Sequence, residues 1–207
     1  MSSIAPTAYL VDDDSAIRDS IALWLGMRGI RCAAYESAEG FLSAVQPDWR
    51  GCVLIDLQLE GIDGLQLQAE LAERNITMPL IFVTGHGDVS TTRDALKAGA
   101  MDFIEKPVDN ERLVELVEAA MANDGEAAQR QEQAALVAGR LQRLTQRERE
   151  VMEQVVAGRH NREIAADLGI SPRTVEVYKA RLMDKLDVRR VADLVKLAVE
   201  AKGGSGS

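Results

Sequence analysis

Four short apolar segments in the first half of the chain each end in a polar side chain. The residues at these ends are Asp12, Asp13, Asp56, Thr84 and Lys106. Carboxylates are the ligands that Mg²⁺ prefers, and a carboxylate can also attack phosphorus. A hydroxyl and an ammonium group can stabilise the negative charge on phosphoryl oxygens. These residue types predict a Mg²⁺-dependent site that accepts a phosphoryl group on Asp56.

The apolar segments have the length and composition of strands that are buried on both faces of a parallel sheet. Strands are predicted near residues 7–11, 31–35, 51–56, 79–84 and 101–105, and helices near 15–28, 37–45, 64–74, 88–98 and 110–121. This alternation predicts an α/β fold with a doubly wound, five-stranded parallel sheet. Because the carboxyl ends of such strands form the ligand crevice, the polar residues are expected to converge there.

Each polar residue also has a structural interpretation when it is considered alone. Asp14 has the position of an N-cap for a helix that begins at Ser15. An aspartate such as Asp56 can end a strand in a turn, Thr84 precedes a glycine, and Lys106 precedes a proline. The occurrence of these residues at successive strand ends favours a shared site over coincidence.

This pattern resembles the receiver domain of bacterial two-component response regulators. The resemblance covers residues 1–122, and the sequence from Thr84 to Asp88 is most similar to the FixJ subgroup. It implies a flavodoxin-like fold, Mg²⁺ as the cofactor, and a sensor histidine kinase that transfers a phosphoryl group to Asp56, where Lys106 binds it. It also implies a cytoplasmic protein that forms a homodimer on phosphorylation.

The resemblance assigns roles to further residues of the site. Asp13 corresponds to the main carboxylate ligand of the metal, with Asp12 beside it. The backbone carbonyl of Gln58 is a further candidate oxygen ligand. Thr84 and Phe103 correspond to the switch hydroxyl and the switch aromatic residue. In this family the bond between the phosphate-binding lysine and the proline after it is usually cis.

One position departs from the family pattern. Response regulators usually carry Met-Pro three and four residues after the phosphoacceptor, whereas this chain has Leu59-Glu60. Leu59 preserves an apolar side chain, but Glu60 removes a rigid turn residue and adds a negative charge at the rim of the site. We hypothesise that Glu60 alters the lifetime of the phosphoryl group or the affinity for the metal.

The charge of the chain is divided unevenly, which favours two domains with different partners. Residues 1–124 contain 9 Lys and Arg against 21 Asp and Glu, whereas residues 125–207 contain 15 against 12. The second half is therefore only weakly basic, and its charge alone does not establish nucleic-acid binding.

The cysteines and the apolar runs indicate the compartment. Cys32 and Cys52 both fall in predicted strands and are expected to be buried thiols, as in a reducing cytosol. No apolar run reaches the roughly 18 residues that a membrane span needs, and no signal peptide is recognised, so no membrane association is expected. Residues 203–207 have the Gly-Ser composition of a cloning linker.

Residues 123–143 are predicted to form a helical linker between two domains. The sequence Asn123-Asp124-Gly125 is typical of a break in secondary structure. The residues after it are rich in Ala, Gln, Glu and Arg, which favours a solvated helix. A coiled coil is the alternative, although no heptad pattern persists over three repeats.

Residues 144–202 are predicted to be entirely helical. Thr145 and Glu148 have the spacing of a capping box, and further helices are predicted near 161–168, 172–186 and 190–201. A short helix, a turn that contains Gly169, and a longer helix after Ser171 predict a helix-turn-helix motif. The apolar face predicted for the last helix contains Val191, Leu194, Val195 and Ala198.

The helix predicted over residues 172–186 has two different faces. The residues expected in the core are Val175, Tyr178, Leu182 and Leu186. The opposite face places the apolar Val177 between arginines, which suits thymine methyl groups together with guanine or phosphate. A solvated charged face is the alternative. The surrounding sequence closely resembles the LuxR/FixJ-type DNA-binding domain.

By this resemblance, the helix enters the major groove of double-stranded DNA, and two copies of the chain pair through the final helix on an inverted-repeat operator. Three residues are expected to face bases and four to contact phosphates or flanking bases. The base-facing residues are Glu176, Val177 and Ala180, and the others are Arg173, Thr174, Lys179 and Arg181.

The sequence therefore predicts a transcription factor that phosphorylation activates. It is not expected to be an enzyme, apart from its own phosphorylation and dephosphorylation. The alternative from another class is a Mg²⁺-dependent phosphohydrolase that forms an aspartyl-phosphate. Such an enzyme needs a second Asp two residues after the nucleophile, where this chain has Gln58, and a capping insertion, which the sequence does not show.

Overall fold

The computed structural model describes residues 5–85 and 89–203. The chain divides into two compact units, Met1–Ala127 and Ala128–Ser207. This division falls inside the predicted linker. The limits predicted for the individual domains remain predictions, and residues 204–207 of the supposed cloning linker lie outside the described part of the chain.

A parallel sheet of five strands organises the first unit, as the sequence predicted. The strands are β1 (Thr7–Val11), β2 (Cys32–Tyr35), β3 (Gly51–Asp56), β4 (Leu80–Thr84) and β5 (Asp102–Glu105). Their spatial order is β2-β1-β3-β4-β5, and every neighbouring pair is parallel. From β1, the chain first adds β2 on one side and then β3 on the other, so β1 and β3 are neighbours and their carboxyl ends lie side by side.

Helices cover both faces of this sheet. They are α1 (Ser15–Met27), α2 (Ala38–Ala44), α3 (Gly64–Glu73), α4 (Val89–Lys97) and α5 (Asn110–Gln142). The helix predicted near residues 88–98 begins at Val89, and Asp88 lies outside the described residues. The Asp14 carboxylate accepts hydrogen bonds from Ala16 N and Ile17 N, which confirms Asp14 as the N-cap of α1.

Alternation along the strands produces two separate apolar layers. Tyr9 and Val53 lie on the face that α2, α3 and α4 cover, and Tyr9 stacks on Trp49 with ring centroids 4.5 Å apart. Leu10 and Leu54 lie on the opposite face, against α1 and α5. Both faces of β1 and β3 are therefore buried, which fixes the strand register, since a slip of one residue would exchange the two layers.

The two cysteines are free thiols, as the sequence predicted, but of the two only Cys52 is buried, whereas Cys32 is partly buried. Burial raises the pKa of Cys32 to about 11 and that of Cys52 to about 12. Both side chains are therefore neutral at physiological pH.

The predicted break at Asn123-Asp124-Gly125 is wrong, because α5 runs through it without interruption. Asp124 is buried, and its carboxylate accepts a hydrogen bond of 2.9 Å from the backbone N of Gly51 at the start of β3. Within a helix, Gly costs only about 1 kcal/mol relative to Ala. The contact with Gly51 and the good helix formers around it are sufficient to continue the helix.

The second unit is helical, as the sequence predicted. Its helices after α5 are α6 (Gln146–Val156), α7 (Asn161–Leu168), α8 (Pro172–Leu186) and α9 (Val191–Gly203). Thr145 and Glu148 form the predicted capping box of α6, and Ser171 caps α8. Gly169 ends α7 in the left-handed conformation, with a φ of 66°. The predicted helix-turn-helix is therefore formed by α7 and α8.

The apolar face predicted for α9 is partly wrong. Leu194, Leu197 and Ala198 are the buried residues, whereas Val191 is 41% exposed. Leu197 and Ala198 follow Leu194 by three and four residues and lie on its side of the helix. Val191 also has this spacing, but it is the first residue of α9. Among the described residues, no helix combines the length and the hydropathy that a membrane span requires.

Replacing Asp124 with alanine is expected to lower the free energy of unfolding of the first unit by about 1–3 kcal/mol, because the buried N–H of Gly51 loses its acceptor. Both tryptophans, Trp24 and Trp49, belong to the first unit, so urea denaturation followed by their fluorescence reports on this unit alone. The exposed Asn123→Ala is the matched control. Equal losses in the two variants would contradict the prediction.

Candidate functional site

The carboxyl ends of four strands bring the predicted site residues of the first unit together. Asp56 ends β3 and pairs with Val83 of β4, while Thr84 pairs with Glu105 of β5. Asp12 directly follows β1, the other neighbour of β3. Lys106 follows β5 and reaches back across this edge.

The Lys106 ammonium lies between two carboxylates. Its Nζ donates to Asp12 Oδ2 at 2.8 Å and to Asp56 Oδ2 at 2.6 Å. The side chains of Asp12 and Asp56 are 0% and 8% exposed, and that of Lys106 is 18% exposed. The backbone N of Lys106 also donates to the carbonyl of Thr84 at 2.7 Å, and the bond to Pro107 is cis, as the family resemblance implied.

The second oxygen of each buried carboxylate is held by the backbone of its own loop. Asp12 Oδ1 accepts from Asp14 N at 2.9 Å, and Asp56 Oδ1 accepts from Gln58 N at 3.0 Å. These bonds fix the rotamers, so the carboxylates are oriented before any ligand binds.

Three carboxylates are placed to bind one cation. Asp12, Asp13 and Asp56 each offer an oxygen, and these oxygens lie within 4.8 Å of one another. Asp13 is exposed at the rim, whereas Asp12 and Asp56 are buried. An oxygen-only donor set that is open to water on one side suits Mg²⁺, which keeps several water ligands. The backbone carbonyl of Gln58 remains a predicted ligand.

Burial and ion pairing have opposite effects on the pKa values of Asp12 and Lys106. Burial raises the pKa of Asp12, and the hydrogen bond from Lys106 offsets only part of this effect. Burial alone lowers the pKa of Lys106, but its hydrogen bonds to Asp12 and Asp56 outweigh burial and raise it. Lys106 is therefore held as a cation, and a further cation near Asp12 would favour the charged carboxylate.

The predicted switch residues lie beside this pocket in two different environments. Thr84 is buried, with 2% of its surface exposed. Phe103 is half-buried and packs against the apolar layer that contains Phe82. Their roles as switch residues remain predictions.

Gly64 is a positioning residue that the sequence analysis missed. A Cβ atom at Gly64 would lie 2.4 Å from the carbonyl oxygen of Asp56 and 3.1 Å from Cε1 of Phe82. Only glycine allows α3 to begin this close to Asp56. The sequence shows a glycine at the start of a predicted helix, but it does not show the backbone that approaches it.

Arg18 is a second residue that the sequence analysis missed. Its guanidinium donates to the carbonyl oxygen of Asp12 at 2.7 Å. This bond joins α1 to the loop that carries Asp12 and Asp13. The sequence contains no signal for it, because only the geometry of α1 brings the two residues together.

Leu59 and Glu60, which stand where the family usually has Met-Pro, differ in their exposure to solvent. Leu59 is buried in the apolar layer beneath α2 and α3. Glu60 is exposed. The proposed effect of Glu60 on the phosphoryl group remains a hypothesis.

The predicted DNA-binding residues of the second unit all lie on α8, but their exposure differs. Val175, Leu182 and Leu186 are buried as predicted, whereas Tyr178 is only partly buried. Val177 is apolar and 43% exposed. The other exposed predicted contacts are Arg173, Glu176, Ala180 and Arg181.

Two of the predicted contacts are tied to their own unit. Lys179 is partly buried and donates from Nζ to Asn161 Oδ1 on α7 at 3.2 Å. Thr174 is also partly buried, with its hydroxyl 2.8 Å from that of Ser171. The bond from Lys179 joins α8 to α7, whereas the contact between Thr174 and Ser171 lies within the N-terminal cap of α8.

An ion pair between the buried Glu148 and the partly buried Lys185 joins α6 to α8. Glu148 Oε2 accepts from the backbone N of Thr145 at 2.8 Å and from Lys185 Nζ at 2.6 Å. The hydrogen bond from Lys185 is the main cause that lowers the pKa of Glu148, against the opposing effect of burial. One carboxylate therefore caps α6 and holds α8, the helix that carries Val177.

These features define an α/β unit with an acidic site at the carboxyl edge of its sheet, followed by a helix-turn-helix unit, and comparison with known proteins agrees. Residues 8–118 match the response regulator receiver domain, and residues 142–198 match the luxR family of bacterial regulatory proteins. The transcriptional regulatory protein FixJ of Azorhizobium caulinodans is 42% identical over 193 residues, covering 93% of this chain and 92% of FixJ. FixJ of Rhizobium meliloti is 42% identical and covers 97% of both chains.

Solved structures give the same result. The structure of the response regulator StyR has a TM-score of 0.86 at 33% identity and covers 94% of this chain and 98% of its own. Full-length FixJ from B. japonicum has a TM-score of 0.59 at 36% identity, with coverage of 97% and 98%. The chain belongs to the two-component response regulators with a LuxR-type DNA-binding domain, and its sequence is of the FixJ type.

Glu148→Gln is expected to destabilise the second unit at neutral pH by about 1–3 kcal/mol, because the charged acceptor of Lys185 and of the α6 cap is lost. Because the pKa of Glu148 is lowered in the folded state, its charged carboxylate stabilises the fold at pH values above the ordinary pKa of a glutamate. This contribution is lost as the pH falls through the lowered pKa. The difference between wild type and variant should therefore shrink at about pH 3.

Hydrogen exchange of the amides in α6 and α8 measures this difference as a function of pH. Glu153→Gln, on the exposed side of α6, is the control and should change exchange little at any pH. A wild-type advantage that is independent of pH would contradict the assignment to the Glu148 charge.

Proposed function

We propose that this response regulator accepts a phosphoryl group on Asp56 from a sensor histidine kinase in a Mg²⁺-dependent reaction. The observation that supports this most directly is the convergence of Lys106 with Asp12 and Asp56, within 2.6–2.8 Å, beside a third carboxylate. A nucleophile, a fixed cation and a set of metal ligands are the parts that phosphoryl transfer to a carboxylate requires.

In the proposed reaction, an oxygen of Asp56 attacks phosphorus while the bond from phosphorus to the kinase histidine nitrogen breaks. Lys106 is the cation that is already in place to pair with a phosphoryl oxygen, because its ammonium contacts the attacking carboxylate. Mg²⁺, when bound by Asp12, Asp13 and Asp56, supplies further positive charge to the site. The Gln58 N–H that donates to Asp56 Oδ1 orients the nucleophile.

Phosphorylation adds negative charge and strong acceptor oxygens next to Lys106 and Thr84. Because Lys106 now bonds both carboxylates, a phosphoryl group on Asp56 would compete for the same ammonium. We propose that Thr84 and Phe103 respond to this change and that the chain forms a homodimer. In this proposal, phosphorylation shifts the population from an inactive state to an active state, and both states exist before phosphorylation.

The dimer would bind an inverted-repeat operator through α8 of each copy and activate transcription. The exposed Val177 flanked by polar residues supports base contacts in the major groove. Arg173 and Arg181 are exposed and suit phosphates or guanines. Lys179 would have to exchange its bond to Asn161 for one to phosphate, so its contribution to affinity should be smaller than that of a free lysine.

The proposed catalytic role is confined to the chain's own phosphorylation and dephosphorylation. A phosphohydrolase would turn over free phosphate esters, whereas the proposed regulator would not. Position 58 is Gln rather than the second Asp that such a phosphohydrolase needs, and the match of both units to regulator families favours the regulator.

Addition of Mg²⁺ and beryllofluoride, a phosphoryl mimic, is expected to convert the full-length chain from monomer to dimer, as light scattering measures. Asp56→Asn should remain monomeric under the same conditions, because it lacks the attacking carboxylate. A wild-type chain whose mass is unchanged would contradict coupling between Asp56 and assembly. Dimerisation of the Asp56→Asn chain to the same extent would contradict the role of Asp56.

A further inference from the structure

The loop of residues 57–63 joins β3 to α3 and leads directly away from Asp56. Both of its ends are fastened by its own residues. Gly64 N donates to Leu57 O at 3.2 Å, which closes the loop at its base. At its far end, Asp63 and Gln66 form a capping box for α3, with bonds of 2.8 and 3.0 Å.

The middle of this loop is held from another element. The backbone N of Ile62 donates to Oε1 of Glu39, in the first turn of α2, at 3.2 Å. All residues of this loop belong to the described part of the chain. Of the backbone N–H groups of residues 59–62, only that of Ile62 donates to an acceptor in the described part of the chain.

Gly61, the residue before Ile62, leaves space for the Glu39 carboxylate. Gly61 has a φ of +80°, and a Cβ atom there would lie 2.6 Å from Glu39 Oε1. Glycine adopts this conformation without strain and leaves the space that the carboxylate occupies. Gly61 therefore leaves room for the end of the Glu39 side chain, which comes from 22 positions earlier in the sequence.

The backbone around Glu39 is anchored by its neighbours at the start of α2. Ala38, the residue before it, is fully buried in the apolar layer, and Ser37 caps α2 by accepting from Gly40 N at 3.2 Å. A carboxylate in the first turn of a helix is also favoured by the positive end of the helix dipole. Glu39 thus extends from a fixed support to a loop that has few other bonds.

We propose that Glu39 is a positioning residue that sets the conformation of the loop after Asp56 and thereby the affinity of the site for Mg²⁺. The inference rests on the proposed function, since the loop contains Gln58, whose N–H orients Asp56 and whose carbonyl is a predicted metal ligand. Loss of the contact frees the centre of the loop, so metal binding must then order it at an entropic cost.

Calorimetric titration of the full-length chain with Mg²⁺ tests the proposal through three variants. Glu39→Ala removes the acceptor and should weaken Mg²⁺ binding by about three- to tenfold. Glu39→Gln keeps an oxygen that accepts from Ile62 and should retain most of the affinity. Glu36→Gln, a nearby exposed glutamate, removes the same charge without this contact and measures the long-range electrostatic effect.

Hydrogen exchange of the Ile62 amide provides a second readout, which should accelerate in Glu39→Ala and not in Glu39→Gln. Tryptophan fluorescence during thermal unfolding confirms that each variant is folded. Wild-type affinity in Glu39→Ala, or equal weakening in Glu39→Ala, Glu39→Gln and Glu36→Gln, would overturn the proposal.

The failure of the proposed function gives a different result. In that case the wild-type chain itself would not bind Mg²⁺, or Asp56→Asn would bind it with unchanged affinity. Tight binding by wild type that is lost in Asp56→Asn and unchanged in Glu39→Ala would overturn only the role of Glu39.

Discussion

The first unit depends on one electrostatic constraint, the burial of Asp12 and Asp56 next to each other at the carboxyl edge of the sheet. Two buried carboxylates repel, and an unpaired buried charge is strongly unfavourable. Lys106 relieves this repulsion by bonding both, and the backbone amides of the adjacent loops bond the remaining oxygens. In the proposed function, a divalent cation and a phosphoryl group are added to this arrangement and change the charges around Lys106.

The rest of the unit positions these three side chains. Two apolar layers fix the register of β1 and β3, which sets the spacing of Asp12 and Asp56. Close backbone approach at Gly64 brings α3 against the carbonyl of Asp56. In the second unit, the Glu148–Lys185 pair has a comparable role, because a single buried carboxylate both caps α6 and fixes the helix that presents Val177.

Much of the fold could be predicted because each local pattern agrees with the global structure. Uninterrupted apolar runs identified buried parallel strands, and capping residues such as Ser171 identified the helix limits. The polar residues at the strand ends converge as predicted. The break predicted at Asn123-Asp124-Gly125 is absent because a tertiary contact from Asp124 overrides the local preference for a turn. No sequence pattern reveals the contacts of Gly64, Arg18 and Glu39. Each of these residues contacts the backbone of a residue several positions or more away along the chain.

The central claim is that Asp56 is the residue that accepts the phosphoryl group, and intact-protein mass spectrometry tests it most directly. The chain would be incubated with Mg²⁺ and a small phosphoryl donor, and the modified residue would then be located by peptide mapping. The account predicts the addition of one phosphoryl group at Asp56, its absence in Asp56→Asn, and its dependence on Mg²⁺. A phosphoryl group at another residue, or none in the wild-type chain, would contradict the account.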